Sequence, residues 1–225
     1  MAEAVSPVPS EMTITFNLSG GLLLRWYKDK FCYEEMLIAE NENKNIYKVI
    51  EEKMIQYPAD VFILPHLVGS GTPYLDPESK GIIIGLDLEK DKSVISRAVL
   101  ESNAYDLRLN LEKLSESGIK INKLICIGGG AKSKDWLQIK ADVLGIEVIT
   151  LKNTESACLG AALLAGIGTG VYSSYKDAIN NSVKYDEIFM PQNNLEKTYN
   201  ERYMIYKDIY KNNRNLLHRI SKLKN

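Results

Sequence analysis

The run Leu124-Ile125-Cys126-Ile127-Gly128-Gly129-Gly130-Ala131-Lys132-Ser133 constrains the fold of this chain more than any other stretch. Lys123–Ile127 reads as a buried strand, three glycines stop it, and Ser133 caps a helix that runs to Leu144 and ends at Gly145. A strand over Ile146–Leu151 and a helix over Glu155–Gly166 follow. Ala157, Gly160, Ala161, Ala162 and Ala165 would let this second helix approach a neighbour closely. Strand, glycine turn, helix, strand, helix is an α/β unit. At such a turn the missing side chains let backbone approach a ligand, and the helix start offers free N–H groups and partial positive charge, which suits a phosphate. The run is not a Walker loop, because Ala131 stands where a Gly must precede the Lys-Ser pair. Nor is it a dinucleotide fingerprint, whose third Gly would fall at Ser133. On spacing alone, a tight turn with nothing bound is an equal reading.

The remaining elements surround this unit. Residues 1–11 read as a flexible tail, and 12–225 as one domain. A short strand is expected over Met12–Phe16, then a break at Asn17–Gly21 and a helix over Leu22–Lys30 with Ser19 as its cap. Ile46, Val49, Ile50 and Met54 predict a helix over Asn45–Tyr57, and Val61–Leu64 a strand ended by Pro65. His66–Pro77 is too rich in Gly and Pro for regular structure and reads as an ordered loop, with His66 structural and Asp76 a turn residue. Gly81–Leu88 predicts another strand, and Ser93–Ser117 the longest helix before the end. From Leu195 to Lys224 a last helix carries Tyr199, Tyr203, Tyr206 and Tyr210, a stripe expected to dock on the same domain rather than form a coiled coil.

Composition narrows the function. With Lys+Arg 28 against Asp+Glu 29 there is no basic excess for nucleic acid. Two histidines and three scattered cysteines give zinc almost nothing to bind, so no metal site is assigned to the chain itself. The cysteines also fit a reduced compartment. No targeting signal or membrane span is visible, so a soluble cytoplasmic protein is expected.

Taken together, several motifs resemble the C-terminal half of the FGGY carbohydrate kinases. They are Ser19-Gly20-Gly21 with Leu24-Arg25-Trp26, Thr72-Pro73-Tyr74-Leu75-Asp76-Pro77, Gly81-Ile82-Ile83-Ile84-Gly85-Leu86, Ala98-Val99-Leu100-Glu101, Gly128–Ser133, Trp136-Leu137-Gln138, Ala141–Gly145 and Leu159-Gly160-Ala161-Ala162. The resemblance runs in family order from about residue 12 to 215 and is strongest to the xylulose-kinase-like branch. Val94 and Ser102 depart from the family pattern, which has a polar residue and a glycine there. The resemblance implies a ribonuclease-H/actin-like α/β ATPase domain, a mixed sheet flanked by helices with a long C-terminal helix. It also implies ATP with Mg²⁺ as cofactors, and transfer of the γ-phosphoryl to a hydroxyl of a ketose or polyol sugar substrate. Gly129, Gly130 and Ala131 would line the adenosine and α-phosphate side; Ser133 and Lys134 would stand near the adenine, with Gly21 and Arg25 closing over it.

In that family the catalytic base and most sugar contacts belong to the N-terminal kinase domain, the implied partner. No catalytic residue is therefore assigned here, and the chain alone is expected to be catalytically incomplete. Two alternatives are a non-catalytic fragment binding nucleotide or a partner, and an unrelated Rossmann-like binder. The latter needs an acidic ribose contact where Thr150-Leu151-Lys152 stands. Apolar side chains at Leu18, Leu67, Val68, Tyr74 and Leu75 further predict a homodimer.

Overall fold

A computed structural model describes residues 2–3, 13–153 and 155–223. In chain order the elements are β1 (Ala2–Glu3), β2 (Thr13–Ile14), α1 (Gly20–Phe31), α2 (Tyr33–Asn41), α3 (Ile46–Lys53), β3 (Phe62–Leu64), β4 (Ile82–Ile84) and α4 (Lys92–Glu116). Then come β5 (Lys123–Cys126), a 3₁₀ turn at Gly129–Lys132, α5 (Lys134–Leu144), β6 (Glu147–Leu151), α6 (Ser156–Gly168), α7 (Tyr175–Ser182), β7 (Tyr185–Phe189) and α8 (Glu196–Ser221).

Helix α4 is the spine. Asp91 starts it by accepting from the Ser93 amide at 2.9 Å, one residue earlier than the apolar pattern indicates. It is buried on several faces, because two cores form against it. One unites Leu23, Tyr27, Ile50, Val61 and Val99 from α1, α3, the β3 region and the first half of α4. The other unites Leu100, Tyr105, Trp136, Ile139 and the tyrosines of α8. Tyr199, Tyr203, Tyr206 and Tyr210 are all buried, with Tyr105 stacked on Tyr206 at 5.2 Å, so the aromatic stripe docks on its own domain as its spacing indicates.

Polar groups inside this core are paired where the chain crosses itself. The Glu101 carboxylate accepts from Arg97 Nε at 2.7 Å, from the Tyr199 hydroxyl at 3.0 Å and from the Ala59 amide at 3.2 Å. Burial raises its pKa despite these donors. One carboxylate thus joins α4, α8 and the segment before β3. Ser102, at a departure from the family pattern, turns inward and donates to the Val99 carbonyl at 2.8 Å.

The second half is a mixed sheet in the order β5-β6-β7, with β5 parallel to β6 and β7 antiparallel to it. Leu137 and Ala141 of α5 cover one face against Leu124, Val148 and Phe189. On the other face Ile125 and Ile188 are exposed. The strand expected to be buried is therefore half-exposed, because β5 is an edge strand with one covered face. Helix α6 likewise buries none of its residues, and the close approach it makes is at Gly166, where a Cβ would lie 2.8 Å from the Tyr172 ring.

The 66–77 segment is an ordered loop. The Ser70 and Asp76 amides and carbonyls pair reciprocally at 2.8 and 3.1 Å. A Cβ on Gly71 would lie 2.2 Å from the Phe16 carbonyl oxygen, so only glycine lets the loop close on β2's flank. Asp76 Oδ1 accepts from the Glu78 amide at 3.0 Å, the expected turn, while Oδ2 takes the Tyr210 hydroxyl and His218 Nε2, each at 2.7 Å. His66 is structural, its Nδ1 2.7 Å from Ser79 Oγ.

Elsewhere the sequence reading fell short. It missed α2, α7 and β7; Ser19 stands at the cap position of α1 as expected, but its hydroxyl is buried without a hydrogen-bond partner among the described residues. Ala2–Glu3 pairs with Thr13–Ile14, and the rest of the expected 1–11 tail lies outside the described residues. No helix of the described residues is long and apolar enough to cross a membrane.

Candidate functional site

The glycine turn opens onto a cleft of about 470 Å³ between the start of α5 and the helices α1 and α3. Gly128 makes the turn possible with φ +77, which disfavours a side chain. Gly129 then faces open space: a Cβ there would meet nothing within 4 Å. Gly130 is different, since its Cβ would lie 3.1 Å from the Trp136 ring. Trp136 forms the floor, its Nε1 donating to the Leu100 carbonyl at 3.1 Å and so fixing α5 against α4.

Across from the turn, Asn45 caps α3 by accepting from the Tyr47 amide at 2.9 Å. Tyr47, Lys48 and Glu51 of α3 face the cleft, with Gly21 and Leu24 of α1 beside them. The two sides are tied together. Ser133 Oγ donates to Glu51 Oε1 and accepts from the Trp136 amide at 3.0 Å, so the expected cap of α5 is also a brace to α3. Burial holds the Glu51 pKa up, against the pull of the Ser133 bond. Lys48 reaches Asp135 at 3.4 Å and Glu51 at 3.8 Å.

Of the residues singled out from the sequence, Gly21, Gly129, Gly130 and Ser133 line this cleft. Ala131 sits in the 3₁₀ turn but is not among the lining residues. Arg25 is exposed and reaches Asp29 at 3.7 Å, and Lys134 pairs with Glu187 on β7, so neither side chain is brought to the cleft. Tyr47, Lys48, Glu51 and Lys132 were missed; only the N-cap signal at Asn45 pointed toward α3's first turn.

The arrangement offers one wall of bare backbone at a helix start, one aromatic and cationic wall, and an indole floor. Among the described residues the one carboxylate lining it, Glu51, is committed to Ser133. Such a cleft can bind a flat group and an anion together, and it presents no unpaired base.

Comparison with known proteins agrees with this geometry. The profile described as "FGGY family of carbohydrate kinases, C-terminal domain" matches residues 5–169. The chain is 32% identical over 200 residues to a xylulose kinase of Staphylococcus epidermidis, covering 88% of this chain and 39% of that protein. Its fold is similar to that of a ligand-bound xylulose kinase from Lactobacillus acidophilus (TM-score 0.76, 21% identity, covering 88% and 39%). It is also similar to that of Plasmodium falciparum glycerol kinase with ADP (TM-score 0.67, 22% identity, covering 84% and 37%). These likenesses bear out the actin-like α/β fold, and the chain spans about 39% of the length of the first of these relatives. The chain belongs to the FGGY family of carbohydrate kinases, of which it represents the C-terminal domain.

Proposed function

We propose that this chain is the nucleotide-side domain of an ATP-dependent carbohydrate kinase of the xylulose-kinase type, working in the cytoplasm on a ketose or polyol. The observation that carries the reading is the cleft itself: the Gly128–Gly130 turn at the start of α5 faces Tyr47 and Lys48 across a space of about 470 Å³. That size suits a nucleotide-sized ligand. The open space at Gly129 fits close approach of a phosphate to backbone, and Leu24 and Tyr47 fit a purine. ADP in the similar glycerol kinase supports the same assignment.

Gly21, Gly129, Gly130 and Ser133 are assigned to nucleotide contact, with Ala131 contributing backbone. Arg25 and Lys134 would join only by leaving Asp29 and Glu187. ATP would supply the phosphoryl group and Mg²⁺ would neutralise its oxygens, held mainly by phosphate and water. This chain's residues would bind, orient and exclude water; the base that accepts the sugar proton is assigned to the complementary domain, because Glu51 is already paired.

Calorimetric titration of the chain with ADP and with xylulose tests the reading. Binding of ADP without sugar phosphorylation is expected. Failure to bind ADP, or ATP-dependent phosphorylation of xylulose by this chain alone, would overturn it.

A further inference from the structure

Lys140 takes no part in the scheme above, yet it is placed where a charge matters. It follows Trp136 by one turn on α5 and is only 7% exposed. Its ammonium lies 4.1 Å over the Trp136 ring and 3.5 Å from the position a Cβ on Gly130 would occupy. Among the described residues its ammonium makes no ion pair and no side-chain hydrogen bond, and the titratable group that acts on it is the Cys126 thiol. A mostly buried ammonium without an anion is costly, and the indole face offsets only part of that cost. The charge therefore sits unpaired beneath the turn whose other side lines the cleft.

We propose that Lys140 is a positioning residue, a buried positive charge under the Gly128–Gly130 turn that favours the phosphate-bearing part of the bound nucleotide over its nucleoside. The inference rests on the nucleotide reading of the cleft. It deepens that reading by separating what recognises phosphate from what recognises the base. Leu24 and Tyr47 would hold the base whether or not Lys140 is charged, whereas the anion would feel the ammonium through a low-dielectric wall. Burial lowers the ammonium's pKa, and an arriving anion raises it again, so binding should draw in a proton at alkaline pH.

Calorimetry on the full chain with ADP and with adenosine separates these contributions. Lys140→Met removes a buried charge while keeping bulk, so the variant is expected to fold, and Lys140→Arg keeps the charge. Lys140→Met should weaken ADP about tenfold while adenosine stays within about twofold. Lys140→Arg should retain most ADP affinity. Titrations at alkaline pH in two buffers of different ionisation enthalpy should show proton uptake on ADP binding that Lys140→Met abolishes. If wild type binds ADP and Lys140→Met binds it equally well, or loses ADP and adenosine alike, Lys140 merely packs on Trp136 and this inference alone fails. If wild type binds neither ligand, the nucleotide reading fails and takes this inference with it.

Discussion

Ser133 donates its hydroxyl to Glu51, so the residue that starts α5 also fastens α5 to α3 across the cleft. A single hydroxyl both caps a helix and keeps a buried carboxylate company. Ser133→Ala should therefore cost more than an ordinary cap, about 2–3 kcal/mol in chemical denaturation, because Glu51 is left buried without its donor. Glu51→Gln should be close to neutral, since an amide oxygen still accepts from Ser133. Equal losses for the two variants would show that the brace is not the source of the effect.

Gly129 and Gly130 should respond differently to substitution. Gly129→Val points into open space and should weaken ADP binding at least about tenfold with stability changed by no more than roughly 0.5 kcal/mol. Gly130→Val presses on the Trp136 ring and should lower stability by about 1–3 kcal/mol. Paired thermal melts and ADP titrations of the two variants check this. A fully stable Gly130→Val would contradict the packing described.

Asp106 gives the core a pH dependence. It is buried on α4 beside the Tyr206 hydroxyl, which completes no hydrogen bond of ordinary geometry with it, and burial raises its pKa to about 7. Below the ordinary carboxylate range both folded and unfolded chains hold this proton. As pH climbs from there to about 7 the unfolded chain gives it up first, so stability falls across that window and the loss is complete above it. Asp106→Asn should remove this slope and stabilise the chain at pH 8 by roughly 2–4 kcal/mol. Urea melts across the pH range would expose the error if wild type and variant kept parallel profiles.

Leu18, beside Phe16, and Val68 and Leu75, on the 66–77 loop that closes over it, are exposed, whereas Tyr74 turns inward and stacks on Tyr210 at 4.0 Å. The outward residues should drive concentration-dependent self-association of the chain, reversed by adding the complementary kinase domain. Sedimentation should show a dimer that Val68→Asp with Leu75→Asp abolishes; a strict monomer at high concentration sinks the idea.

The legible parts of this protein share a cause. The glycine turn, the caps at Ser133 and Gly145 and the tyrosine stripe are all signals written within a few residues, and each sits where its pattern places it. Helix α2 escaped because Cys32 alone separates it from α1 and its charged and apolar residues follow no single face; it buries Glu35 along with Ala39. Strand β7 escaped because its residues alternate between exposed and half-buried on a sheet edge. Half of the cleft was invisible for a different reason. Glu51 meets Ser133 across 82 positions, and nothing local to Ile46–Lys53 says which glycine turn that helix will face. Arg25 and Lys134 looked available because the sequence did not disclose Asp29 and Glu187 as their partners.

The carboxylate of Glu101 has a consequence for synthesis. Its partners Arg97 and Ala59 leave the ribosome well before Tyr199, which lies 98 positions further on. Until α8 emerges, Leu100 and Tyr105 have no tyrosines to cover them and Arg97 and Glu101 lack the hydroxyl they share. Until then the nascent chain carries an open apolar groove along α4, the kind of transiently exposed surface that favours aggregation. Closure waits for α8.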